Sequence, residues 1–163
     1  MSAGIVQQVD TPQVLYDTPC NLFVAGFIGS PQMNFLDATC KVNGNKVALE
    51  VGGAAIELPP AKAKKLIEGG YDGKTVVLGI RPEDVHDEPM FIASSPNTVI
   101  ESKIRVYEML GAEVYLYFDY AGSSMTARVD PRTTARTGDT VKFAFDAEKI
   151  HVFDKETECT ITN

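Results

Sequence analysis

The chain has 163 residues, 44% of them hydrophobic, enough for one domain with a sizeable core. Its 22 Asp and Glu exceed its 15 Lys and Arg, and the formal charge of −7 argues against nucleic acid, whose phosphates are gripped by Lys and Arg that displace counterions. No basic run exceeds Lys64-Lys65 and the longest apolar stretch, residues 22–29, is about half the length of a bilayer-crossing helix, which argues against a polybasic membrane patch or a membrane span and leads us to expect a soluble, cytoplasmic chain.

The opening segment reads differently from the remainder. Residues 4–9 form a short strand-like run, and Thr11-Pro12 supplies an N-cap and a first-turn proline for a helix ending near Tyr16. A second short helix is expected from Asn21, with Leu22, Phe23, Ala25, Gly26 and Phe27 giving a broad apolar face, and it stops at Gly29-Ser30-Pro31. Elements this short cannot bury those aromatics alone and need a partner surface.

From Asn34 onward the punctuation is that of an all-β domain. Asn43-Gly44 separates strands at 35–42 and 46–51, with positive φ expected at both turn positions, and Gly52-Gly53 leads into a third strand at 54–58, completing a meander. Pro59-Pro60 opens a helix over 61–68, closed by Gly69-Gly70, and 74–81 returns to strand. Arg81-Pro82-Glu83-Asp84 must turn, because proline pushes the preceding residue out of the helical region. Residues 87–97, with two prolines, read as an irregular loop.

Strands at 98–109 and 112–120 then flank Leu110-Gly111. In the second, Val114, Leu116, Phe118 and Tyr120 alternate with Glu113, Tyr115, Tyr117 and Asp119, the period of a strand with one dry face. Met125, Ala127 and Val129 alternate next, followed by Val141, Phe143 and Phe145, and by a last short strand at Ile150, Val152 and Phe153. About nine strands spaced by turns predict a small closed or partly closed barrel, since closure removes exposed sheet edges. Phe118, Phe143 and Phe145 are its expected core, each contributing about 1.5–3 kcal/mol when buried.

Candidate chemistry is sparse. Residues 69–75 end in the Gly-Lys-Thr of a Walker A loop, but Glu68 stands where its first glycine belongs and a strand follows where a helix is required, so the segment reads as a helix-to-strand turn. His86 and His151 are too few for a histidine-rich metal site. The acidic loop at 84–88 lacks the ordered spacing of a calcium loop and reads as solvated. Glu101, Glu108 and Glu113 could serve as acid and base only if the fold paired two of them in a pocket, so ion pairing or solvation is the expectation. Cys20, Cys40 and Cys159 share no metal-ligand spacing and are expected to be reduced packing residues.

Four stretches carry a resemblance. GIVQQVDTPQVLYDTPCNLFVAGFIGSPQMNFL (residues 4–36), LGIRPEDV (78–85), VYEMLGAEVYLYFD (106–119) and GDTVKFAFDAEKIHVFD (138–154) together resemble the C-terminal half of the ATP-binding subunits of maltose- and multiple-sugar-type carbohydrate ABC importers. The likeness spans nearly the whole chain; its first stretch is specific, while the strand motifs are shared with importers of polyamines and oxyanions.

The resemblance implies a mainly β protein: an OB-like barrel of the transport-associated, MOP-like type, preceded by a short strand and two short helices. Residues 1–33 would be the segment leaving the ATPase domain and residues 34–163 the regulatory domain. The family's Walker A, signature loop, Walker B and switch histidine all precede the matched region. The fragment is therefore expected to be no enzyme and to hold no cofactor, ATP and Mg belonging to the intact subunit, and Met1-Ser2-Ala3 reads as a fragment boundary.

Implied partners are the subunit's own ATPase domain, a second copy of the subunit, the transmembrane permease subunits through the intact subunit and, in some members, a regulatory protein, all at the inner face of the cell membrane. Gly111 and Glu113 match a loop that the family places near the regulatory dimer contact. Arg81 and Glu83 match a turn organised by an ion pair. The structural alternatives are a turn glycine needing positive φ and a surface pair worth about 0–1 kcal/mol. The alternative function is a barrel sensing a small oxyanion or sugar, since related barrels bind molybdate and barrels hold ligands at their mouths. Tyr115 and Tyr117 as a base-stacking platform would need a basic groove that the net charge does not favour.

Overall fold

Two-residue alternation and turn glycines fold the described residues, 18–27 and 33–163 together with Thr11 and Gln13, into eleven strands in the computed structural model. The expected strand at 4–9 and most of the expected helix ending near Tyr16 lie outside the described residues. The second expected helix is present as α1, Leu22–Phe27, with the Asn21 side chain accepting a hydrogen bond from the Val24 amide as a capping residue does.

The meander is β1 (Asn34–Asn43), β2 (Lys46–Val51) and β3 (Ala54–Glu57), followed by the helix α2 (Pro60–Glu68) and the strand β4 (Thr75–Ile80). A 3-10 turn at Pro82–Asp84 leads to the two-residue strand β5 (Val85–His86). The long strands β6 (Val99–Leu110) and β7 (Glu113–Tyr120) form a hairpin that β8 (Ser123–Val129) extends. Three shorter strands complete the chain: β9 (Thr140–Phe145), β10 (His151–Asp154) and β11 (Thr160–Thr162). They assemble into a six-stranded sheet, β11-β10-β4-β1-β2-β3, and a five-stranded sheet, β5-β9-β6-β7-β8.

Differences from the sequence reading have local causes. The first hairpin turns on Gly44 and Asn45, with Asn43 kept in the ladder opposite Lys46, and of the turn residues only Gly44, at φ 64°, has positive φ; a leading glycine of this kind suits a two-residue hairpin. Residues 87–97 are not irregular throughout: Pro89 opens the helix α3, Pro89–Ser94, and Pro96 opens a 3-10 turn to Thr98, because proline is well suited to the first helical position. Short strands β5 and β11 raise the expected nine strands to eleven among the described residues.

The core lies between the sheets. Phe118, Phe143 and Phe145 are fully buried as expected, and the first two stack with ring centroids 4.4 Å apart. β4 is dry on both faces, which explains its continuous apolar run: Val76, Leu78 and Ile80 join the main core, while Val77 packs with Ala25, Met33 and Phe153 in a second cluster covered by α1. The apolar face of the N-terminal helix thus finds a surface on β4 and β10.

Barrel closure depends on a side chain. Asn34, at the start of β1, is buried; its Nδ2 donates to the Thr126 carbonyl at 2.9 Å and its Oδ1 accepts from the Thr126 amide at 2.8 Å. The amide side chain completes the hydrogen bonding of β8 as another strand would, so the free edge of one sheet is sealed against the other. At the opposite seam β3 packs against β6 and the turn at Pro96–Thr98.

Candidate functional site

The hairpin tip between β6 and β7 exposes apolar surface. Val106, Met109 and Leu110 are 44%, 55% and 53% exposed, three of the five large apolar side chains so exposed among the described residues. Gly111 turns the chain with φ 60°, a conformation that disfavours side chains, and a Cβ there would touch nothing, so its glycine serves the backbone rather than packing.

Glu113 follows the turn. Its Oε2 accepts a hydrogen bond from the Tyr115 hydroxyl at 2.8 Å, and its Oε1 lies 3.7 Å from Arg128 Nη1. Arg128 stands directly opposite Tyr115 in the β7–β8 ladder, and its Nη2 lies 3.8 Å from Glu83 Oε2. Glu83 belongs to the 3-10 turn at Pro82–Asp84, which packs against β8. The fold therefore gathers Glu83 and Glu113 on one guanidinium. The fourth of the expected site residues, Arg81, is 2% exposed, its extended backbone aiming the side chain inward before Pro82 turns the chain.

Tyr115 also departs from the expected wet face. It is only 8% exposed, packed over β7 under the Glu113–Arg128 pair, and acceptance of its hydrogen bond by the Glu113 carboxylate raises its pKa. Tyr117, partly buried, donates to Glu108 at 3.0 Å; burial foremost, and then that bond, raise its pKa. Both hydroxyls donate to carboxylates. Sequence reasoning missed Arg128, Val106, Met109 and Leu110. Arg128 falls on the wet side of an unremarkable alternating strand, and its partners are distant in sequence.

The remaining motifs form no reaction centre. In the Walker-like segment the amides are consumed internally: Gly69 donates to Lys65, Gly70 to Ile67, Tyr71 to Leu66, Gly73 to Cys40 and Lys74 to Tyr71. A strand starts at Thr75, so no helix terminus faces the turn. His86 lies 3.2 Å from Glu88 and stacks on Phe91, whereas His151 is buried against Asn163. Glu101 pairs in register with Lys142, away from Glu108 and Glu113. No group of three or more His, Cys, Asp or Glu among the described residues could hold a metal ion.

In the acidic loop, burial foremost, with Glu83 and Asp146 adding to it, pushes the Asp84 carboxyl up to about 6, and burial also raises Asp87, which accepts a hydrogen bond from Thr133 at 2.5 Å. Of the cysteines only Cys40 is a packing residue, its thiol pKa raised by burial; Cys20 and Cys159 are exposed, contrary to expectation, because they sit where the N-terminal segment meets the edge strand β11.

Two antiparallel sheets closed into a barrel, with an exposed apolar hairpin, define a small β-barrel domain. Comparison with known proteins specifies it. A family model for the MalK OB fold domain matches residues 29–85, and one for the TOBE domain matches residues 78–153. The oligosaccharides import ATP-binding protein MsmX of Bacillus subtilis is 44% identical over 161 residues, covering 99% of this chain and 43% of that protein. The multiple sugar-binding transport ATP-binding protein MsmK of Streptococcus mutans is 40% identical, with 97% and 41% covered.

The chain therefore carries the MalK-type OB fold and TOBE domains, and along nearly its whole length it is similar to part of the ATP-binding proteins of sugar importers. It spans less than half the length of these relatives. Among solved structures the molybdate-binding protein ModG, with molybdate bound, superposes with a TM-score of 0.54 at 15% identity over 73% of this chain and 94% of that one, a likeness of fold. Among the described residues no helix is long and apolar enough to cross a membrane.

Proposed function

We propose that the chain is the regulatory and dimerisation module of the ATPase subunit of a sugar ABC importer, working at the cytoplasmic face of the membrane. Residues 1–33 lead from the ATPase domain, and residues 34–163 form the barrel that meets a second copy. Gly111 and Glu113 lie in that contact, with Glu83 and Arg81 supporting it through Arg128 and the turn beneath. ATP and Mg belong to the intact subunit, through which the chain would meet the transmembrane permease subunits. A regulatory protein would act on the same barrel.

The observation that carries this reading is the joining of exposed Val106 and Leu110 to the Glu113–Arg128–Glu83 cluster on one face of the hairpin, with Met109 exposed at its tip on the other face. A two-fold contact sets a patch against itself, so apolar tips can meet while carboxylates of one copy face the guanidinium of the other. Covering each half-exposed apolar side chain would contribute about 1 kcal/mol. Light scattering across concentration tests it. The wild-type chain should associate to a dimer and Glu113→Arg should weaken that association; a monomer at every concentration contradicts it.

A second reading has its own support in an open depression of about 890 Å³ beside α3, lined by Asp87, Glu88, Asp130, Arg132, Thr133 and Asp139 among others. ModG is described with molybdate bound, but four carboxylates here would repel an oxyanion and suit the hydroxyls of a neutral sugar. Titration calorimetry with maltose and with molybdate decides: heat from maltose alone supports the sugar reading, and two flat traces remove it.

A further inference from the structure

The lysines of this acidic chain are unevenly placed. Residues 41–74 hold six lysines against four acidic residues, whereas the remainder holds nine basic against eighteen acidic residues. In sequence these lysines form no run, but the fold draws five of them, all exposed, to one rim of the barrel: Lys41, Lys46, Lys64, Lys65 and Lys74. The backbone explains the gathering. Gly73 donates to the Cys40 carbonyl at 2.7 Å and the Cys40 amide to the Lys74 carbonyl at 2.9 Å, which brings Lys74 beside Lys41.

The Val42 amide is held by Asp72, and Lys46 closes the adjacent hairpin opposite Asn43. On the other side Lys74 Nζ lies 5.7 Å from the Tyr71 ring, which itself packs over Gly69 near the Lys65 carbonyl at the end of α2. The result is a continuous strip from α2 to the β1–β2 turn. Of its five lysines only Lys64 is ion-paired among the described residues, to Glu68 at 3.8 Å. Arg105, Arg128, Arg132 and Lys155, elsewhere on the surface, each face a carboxylate. The strip sets five lysines against Glu68 and Asp72, a local positive excess on a chain of net charge −7.

We propose that this rim docks an extended acidic segment of a partner protein. Lysine ammonium groups are compact point charges on flexible stems, each able to meet a carboxylate along an extended acidic segment. Ile67, at 37% exposure, is the single large apolar side chain exposed on the strip among the described residues, too little for insertion into a lipid surface. Glu68 and Asp72, interleaved with the lysines, would repel a uniformly anionic membrane but leave gaps that a polypeptide with spaced carboxylates can match. The interaction stands apart from the β6–β7 face and does not depend on dimerisation.

Fluorescence anisotropy of a labelled peptide of alternating glutamate and glycine with the whole chain tests this. The wild type should bind at low ionic strength and release at about 1 M salt, where the Debye length falls to about 3 Å. Lys41→Glu/Lys74→Glu should weaken binding about tenfold or more, whereas Lys103→Glu/Lys142→Glu, with the same net charge but away from the rim, should leave it nearly unchanged. No binding by the wild type, equal weakening by both double variants, or binding to anionic phosphatidylglycerol vesicles in place of the peptide each overturns it. Thermal unfolding of both variants shows that loss of binding is not loss of fold.

Discussion

The Arg128 guanidinium lies 3.8 Å from the Glu83 carboxylate, joining β8 to the turn of the Arg-Pro-Glu-Asp motif, while its other arm reaches Glu113. One cation thereby links two signatures that the sequence keeps apart. Arg128→Met should cost less than about 1 kcal/mol of stability, because all three side chains are a third or more exposed or close to it. It should weaken self-association more than it weakens folding, since Glu83 and Glu113 then repel each other at the contact. Denaturant unfolding beside sedimentation analysis separates the two effects.

Asn34 closes the barrel by satisfying both backbone groups of Thr126. Asn34→Leu would leave that amide and carbonyl buried without partners, a cost of about 2–4 kcal/mol for two such groups. Asn34→Asp keeps the acceptor but loses the donor and buries a charge, so it too should destabilise. Urea midpoints at constant m-value measure both; a variant as stable as wild type would mean that the seam is held elsewhere.

Gly79 in β4 sits under the N-terminal helix cluster, and a Cβ there would come within 2.6 Å of Met33 Sδ and 2.9 Å of Phe153 Cε2. Gly79→Ala should cost about 1–3 kcal/mol through overpacking. Met33→Ala added to Gly79→Ala should recover part of that loss, because the closest clash is removed. Strict additivity of the two would contradict the contact.

Asp84 sets a pH dependence. Its folded carboxyl, at about 6, holds a proton more tightly than the unfolded chain, whose Asp titrates near about 3.9. The unfolded state therefore ionises first, and stability falls as pH rises from about 4 to about 6, then flattens for this group. Asp84→Asn should stabilise the protein at pH 7 by about 1–2 kcal/mol and should have little effect below pH 4. Chemical unfolding across that range detects the change, and an unchanged profile would assign the ionisation elsewhere.

Local signals made most of the barrel legible. Alternation in Val114, Leu116 and Phe118 located the dry face of β7, and glycine pairs located the hairpins, because both depend on neighbouring residues alone. The helix α3 was hidden since Pro89 and Pro96, read as loop formers, act as helix starters here. Glu113 and Glu83 were marked by motif, but Arg128 and the bidentate Asn34 act across the fold, where sequence distance conceals the partner. The lysine rim escaped for the same reason: it is assembled from a hairpin, a helix and a turn.

Hydrogen exchange measured at low and high protein concentration tests the proposed self-association face most directly. Amides at residues 106–113 should gain protection as concentration rises, with those of the β1–β2 turn at 43–46 unaffected, and Leu110→Asp should abolish the gain. Protection that is independent of concentration along the hairpin, or that rises on another face instead, would contradict a dimer formed through Glu113 and Arg128.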